Sequence, residues 1–241
     1  MNTLEKIRLI NPVLLSNTVY VFLIRLDSFS AAELIENLSQ DEKDRANKFK
    51  IEQKRDQFII TRSLLRQLLA NSLGKIPAEI VFSYAEHGKP YLQEKYNNKQ
   101  LMFNVSHSGH YAVIALGLEQ QLGVDIEMIN TDIDYQSLVK RFFSQQEQQG
   151  FAALDEDEQL PGFYQIWSRK ESFIKATGQG VAFGLDCFSV PMSLQNNKVT
   201  VDAVAKTDCD WYLYEITTAA AYKAALTANS NQIEIVMSKF I

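Results

Sequence analysis

The sequence predicts an α+β fold assembled from two similar α+β units, and three observations carry that reading. A β-rich run near the start is followed by helical periodicity and then by short strands. The same order, helices and then strands, recurs in the second half, and such segregated runs favour α+β layering over alternating units. The length, 241 residues, suits two units of roughly 120 residues, near the commonest domain size. No residue-level repeat links the halves. The expected division is residues 1–118 and 119–241.

Taken in order, NTVYVFLIRL (17–26) is rich in β-branched and aromatic residues and reads as a strand. Residues 30–74 place leucines and isoleucines at helical spacing and stop at Gly74, which reads as two or three helices. EIVFSYAEHGKPYL (79–92), QLMFNVSHSGHYAVIALG (100–117) and QLGVDIEMI (121–129) then read as short strands parted by Gly, Asn and Ser turns. Helices are expected within 134–178, with ALDEDEQLPG (153–162) as an acidic surface loop. Strands follow in 186–193, 198–204, 210–218 and 221–228.

The charge balance, with 24 Lys and Arg against 29 Asp and Glu, argues against nucleic acid as the main partner, which needs a concentrated basic surface. Cys187 and Cys209 have no CxxC spacing, so neither a disulfide framework nor a zinc knuckle is suggested. No signal peptide is visible, and no run approaches the ~18 apolar residues of a membrane span. The expected protein is soluble and cytoplasmic.

The chemistry concentrates in a few segments. In GVDIEMI (123–129), period-two alternation puts Val124, Ile126 and Met128 on one face and Asp125 and Glu127 on the other. That pair is either the wet face of an edge strand or two carboxylates converging on a cation. In WSRKESFIKATGQG (167–180), Phe163, Ile166, Trp167, Phe173 and Ile174 share one helical arc. Glu171 and Lys175 fall on its edge and Lys170 inside it, while Ser168, Arg169, Ser172 and Ala176 fall opposite. A carboxylate beside an apolar face needs a partner. Lys175, four residues on, supplies one as a helix ion pair. Mg²⁺ supplies another if Glu171 meets Asp125 and Glu127, because it takes hard oxygen ligands and leaves room for phosphate; Lys170 and Lys175 would then face the same phosphates. FNVSHSGHYAV (103–113) presents Ser106, His107 and Ser108 at a glycine turn, a plausible anion cradle, although His107 reads equally as a structural turn residue. Lys89 in EHGKPYL reads by itself as a solvated turn lysine. No P-loop or dinucleotide fingerprint occurs.

Together, GKP (88–90), FNVSHS (103–108), GVDIE (123–127), RFFSQQE (141–147) and FYQIWSRKESFIKATGQG (163–180) resemble the signature blocks of the Sfp-type 4′-phosphopantetheinyl transferases. DEKDRANKF (41–49) resembles the family's basic N-terminal helix more weakly. The resemblance implies two α+β subdomains in a pseudo-twofold arrangement, with coenzyme A as co-substrate in the cleft between them. It implies that a serine of an apo acyl or peptidyl carrier protein attacks the phosphopantetheine-side phosphate, and adenosine 3′,5′-bisphosphate leaves. Asp125, Glu127 and Glu171 would be the Mg²⁺ ligands, with Glu171 also a candidate base. Lys175 would steady the leaving diphosphate oxygens. Arg45, Ser106 and His107 match positions near the 3′-phosphate, and Lys89 and Pro90 match the nucleotide pocket. Some members carry a second lysine near the position of Glu42, where this sequence offers Lys43 instead. Glu147 is the other acid in a block, and reads equally as a surface helix residue after a Ser144 cap. Phe142 and Phe143, with Lys140 and Arg141, would meet an acidic carrier helix; otherwise one phenylalanine is core and the other caps it. The family implies a monomer. A Mg²⁺-dependent phosphohydrolase using the same acids, and an inactive carrier-binding module, are the competing readings.

Overall fold

The structure, a computed structural model, describes residues 5, 7, 10, 12, 14–93, 100–202 and 207–240. Part of the strand expected over 198–204 lies outside the described residues. The first half contains β1 (Thr18–Arg25), α1 (Ala31–Leu34), α2 (Gln40–Ala46), α3 (Glu52–Leu73), β2 (Phe82–Tyr84), β3 (Pro90–Leu92), β4 (Leu101–Ser108) and β5 (Tyr111–Leu118). The second contains β6 (Leu122–Met128), α4 (Tyr135–Phe142), α5 (Gln145–Ala152), α6 (Glu156–Thr177), β7 (Phe188–Ser189), β8 (Thr200–Val201), β9 (Tyr212–Glu215), β10 (Tyr222–Ala228) and β11 (Glu234–Phe240).

Four layers stack as helix, sheet, sheet, helix. The first sheet runs β11-β1-β5-β4 and the second β6-β10-β9. Period-two alternation splits each strand between two cores. In β1, Phe22 and Ile24 pack under α3 with Leu64, Leu65 and Leu68, while Val19, Val21 and Leu23 face Val124, Ile126, Ala224 and Leu226 of the second sheet. Phe163, Ile166 and Phe173 of α6 cover the far side of that sheet. Each half therefore lays a 22-residue helix on its sheet, and each helix ends at a glycine in the left-handed region, Gly74 at φ 67° and Gly178 at φ 72°.

Two expectations are corrected, and one strand crosses the expected 118/119 division: β11 returns and pairs in parallel with β1, from Thr18↔Glu234 to Ile24↔Phe240. That pairing covers an edge whose amides and carbonyls would otherwise lack partners. The acidic stretch 153–162 is not a loop. From Glu156 onward it is the start of α6, with Asp155 at the N-cap position and Glu156, Asp157 and Glu158 in the first turn where the helix dipole favours acids. Finally, the side of α6 expected to face away from the core does not face solvent. Ser168, Arg169, Ser172 and Ala176 are all buried, and Ser172 Oγ lies 2.7 Å from Thr227 Oγ1 of β10.

Candidate active site

The site forms where the exposed edge of β4 meets that of β6. The two edges are joined through side chains. Asn104 Oδ1 accepts from Val124 N at 2.9 Å, Ser106 Oγ donates to Asp125 Oδ1 at 2.9 Å, and Ser108 Oγ donates to Glu127 Oε2 at 3.0 Å. Asn104, Ser106 and Ser108 can act in series because alternate residues of a strand share a face. Sequence reasoning passed over Asn104; the period-two spacing of polar residues in FNVSHS was the available signal.

The helix meets the strand closely. A Cβ built on Gly123 would lie 2.2 Å from both Ala176 N and Ser172 O, so only glycine lets α6 seat against β6. This contact brings Lys175 onto β6: its Nζ donates to Asp125 Oδ1 at 2.6 Å and to Ser106 Oγ at 2.7 Å. The ammonium is thus bonded to Asp125, not to Glu171 one turn away.

Asp125 is 2% exposed, which removes the wet-edge reading. Its pKa is raised, chiefly by desolvation, with Lys175 and Ser106 pulling the other way. Glu127 is pushed up to about 7 by desolvation and then by the charge of Asp125. Glu171 is raised by desolvation and by Asp125. Three acids share one field with a single ammonium bonded among them. Asp125 Oδ2 is buried without a hydrogen-bond partner, an open lone-pair site of the kind a hard cation takes. As they stand, no three His, Cys, Asp or Glu side chains among the described residues form a ready-made metal cluster; Glu127 and Glu171 would have to turn toward Asp125.

Cavities flank the acids. One of about 270 Å³ is bounded by Lys89, Pro90, Asn104, Glu171 and Lys175. The other, about 490 Å³, is bounded by Lys54, Gln57, Ser108, Glu127, Tyr164 and Trp167. Lys89 is no solvated turn residue: its Nζ donates to Ala176 O at 2.9 Å and Leu122 O at 3.2 Å, and burial lowers its pKa to about 8. Ser106, His107 and Ser108 belong to β4 and not to the turn that follows it; His107 is exposed there, with its pKa held down by local desolvation and then by the ammoniums of Lys54 and Lys175.

Other candidates fall elsewhere. Arg45 is exposed on α2, its guanidinium 5.2 Å from the Phe58 ring centre, and is not among the residues bounding either cavity. Lys170 does not face phosphate. It is fully buried and bonds both carboxylate oxygens of Glu147 at 2.7 and 2.6 Å, together with Phe188 O. Glu147 is correspondingly not a surface residue: it closes a capping box with Ser144 and accepts from Val190 N. Phe143 is core at 1% exposure, and Phe142 lies half-buried against Trp167, ring centres 5.7 Å apart. Lys140 and Arg141 are exposed.

A family model described as the 4′-phosphopantetheinyl transferase superfamily matches residues 121–227, and one described as 4′-phosphopantetheinyl transferase, N-terminal, matches residues 28–118. The 4′-phosphopantetheinyl transferase HetI of Nostoc sp. (strain PCC 7120) is 36% identical over 174 residues, 71% of this chain and 73% of that protein. The 4′-phosphopantetheinyl transferase Sfp of Bacillus subtilis (strain 168) is 32% identical over 192 residues, 79% of this chain and 82% of that protein. Among solved structures, the Thermotoga maritima holo-[acyl-carrier-protein] synthase overlaps 52% of this chain and 74% of its own, with a TM-score of 0.32 and 21% identity. The chain belongs to the 4′-phosphopantetheinyl transferase superfamily and is an enzyme that transfers phosphopantetheine.

Proposed function

We propose that this transferase takes the 4′-phosphopantetheine group from coenzyme A to a serine of an apo acyl or peptidyl carrier protein, with Asp125, Glu127 and Glu171 holding one Mg²⁺. The observation that carries the metal assignment is the buried, unpartnered Oδ2 of Asp125 beside two further carboxylates raised in pKa by burial and by its charge. Bound there, Mg²⁺ would supply positive charge to the diphosphate of coenzyme A during phosphoryl transfer.

The chain's own residues divide the remaining work. The serine Oγ forms a bond to the phosphopantetheine-side phosphorus, the bridging P–O bond breaks, and adenosine 3′,5′-bisphosphate departs with the electron pair. Glu171, which bounds the smaller cavity, accepts the serine proton directly or through a water. Lys175, at the wall of the smaller cavity, offers its ammonium to the leaving diphosphate oxygens. Lys89, Pro90, Ser106 and His107 form the nucleotide side of the cleft, and Arg45 would have to swing away from the Phe58 ring to reach the 3′-phosphate from α2. The acidic balance of the chain, net −5, disfavours a nucleic-acid partner. No helix among the described residues is long and apolar enough to cross a membrane, which fits a cytoplasmic enzyme. With both halves in one chain, the active unit is a monomer.

The test is to incubate the chain with apo carrier proteins, coenzyme A and Mg²⁺ and to weigh the carriers. A mass gain of one phosphopantetheine that vanishes with chelator supports the reading. Carriers of several types remaining apo would overturn it.

A further inference from the structure

The edge of β6 that faces β4 is satisfied by side chains rather than by a neighbouring strand. Val124 N donates to Asn104 Oδ1 at 2.9 Å, Met128 N donates to Ser108 Oγ at 3.1 Å, and Leu122 O accepts from Lys89 Nζ at 3.2 Å. Lys89 makes a second bond, to Ala176 O at 2.9 Å, one of the last four carbonyls of α6 that no helical donor reaches. One ammonium from the β2–β3 turn therefore ties the start of the strand carrying Asp125 and Glu127 to the end of the helix carrying Glu171 and Lys175. It does so beside the point where strand and helix touch, at Gly123 and Ala176.

Burial is the cause of the lowered Lys89 pKa, and a solvated turn lysine would escape that desolvation altogether. Asn104 is equally committed, 5% exposed with its oxygen on the amide next to Asp125. We infer that Lys89 and Asn104 are positioning residues that set the separation of Asp125 and Glu171 through the backbones of β6 and α6. This rests on the metal assignment proposed above. It differs from a role for Lys89 as a phosphate ligand, because the ammonium acts on the protein before any co-substrate arrives.

Lys89→Met, Lys89→Arg and Asn104→Ala test it with three readouts. In the chain free of metal and coenzyme A, Lys89→Met should speed hydrogen exchange at the amides of residues 176–178, and Asn104→Ala at Val124. Both should raise the Mg²⁺ concentration for half-maximal transfer by about tenfold, the usual cost of removing a support behind a metal ligand. Excess Mg²⁺ should recover more activity than excess coenzyme A, and Lys89→Arg, which keeps a donor, should restore part of the metal affinity. An unchanged Mg²⁺ requirement in both Lys89→Met and Asn104→Ala would overturn the inference. So would a rise in KM for coenzyme A alone with exchange unaltered, the signature of direct phosphate contact. If the unsubstituted chain transferred without any divalent cation, the metal assignment would fall and this inference with it, a result visible before any substitution is made.

Discussion

Lys175 and Asp125 form the pair on which the proposed site is built. Their 2.6 Å contact partly offsets the desolvation of a carboxylate that is 2% exposed, yet leaves Oδ2 open. Asp125→Asn and Glu171→Gln should each lower transfer by about a hundredfold or more, as expected when a metal ligand or base is removed. Circular dichroism should stay unchanged; near-normal turnover in both variants would refute their assignment. Glu127 adds a pH signature. Its folded pKa, about 7, lies above the ordinary 4.5, so between those values the folded chain binds more protons than the unfolded one. The contribution of Glu127 to the stability of the metal-free chain should therefore fall as pH rises through that window and level off above it, a difference read against Glu127→Gln. A divalent cation that holds the ionised form should raise the melting temperature more at pH about 8 than at pH about 5. Calorimetry with and without Mg²⁺ checks this, and equal shifts at the two values would refute it.

At the scale of elements, α6 is the organising member. From Phe163 onward it is buried on nearly every side: Phe163, Ile166 and Phe173 enter one core, Ser172 meets β10, and Lys170 bonds Glu147 of α5 and, directly, Phe188 O. An ion pair with both members at 0–1% side-chain exposure is better judged by what its rupture costs than by its presence. Removing one partner strands a charge, at about 3–5 kcal/mol, whereas replacing both with apolar groups is often nearly neutral. Glu147→Gln and Lys170→Met singly should each destabilise by that order in denaturant melts. The double variant Glu147→Leu/Lys170→Met should recover most of the loss. Equal destabilisation in single and double variants would mean that the pair does not act as a unit.

Across the whole molecule, the closing device is β11. Without it β1 would present a bare edge, and Ile235 and Met237 would be missing from the core between the sheets. Phe240 adds a ring contact with Phe22, centres 6.4 Å apart. Ending the chain before Glu234 should therefore lower the melting temperature and promote association through the exposed edge. Light scattering against the full chain, which should run as a monomer, provides the measurement. A truncated chain that stays monomeric and equally stable would show that the edge needs no cover.

Much of this was legible before any coordinates. The alternation in GVDIEM places its acids on one face because strand geometry is local. The position of Gly74 and Gly178 at helix ends follows from the left-handed conformation that ends many helices, and the joint spacing of GVDIE with WSRKESFIKATGQG carries the family. Lys170 and Lys175 were not separable from the sequence. They lie five residues apart on one helix with similar surroundings, and only the approach of α5 on one side and β6 on the other sends the first to Glu147 and the second to Asp125. The acidic start of α6 was misread for a related reason, since the same residues suit a solvated loop or a helix N-terminus. Local periodicity, turn chemistry and motif spacing act over a few residues, so the sequence alone determined the class of fold, most of the elements and the acids, but not β11 or the start of α6. Which charge meets which, where β11 returns, and that Asn104 and Lys89 grip the edge of β6 depend on contacts between residues distant in the chain, and those exist only once the layers have packed.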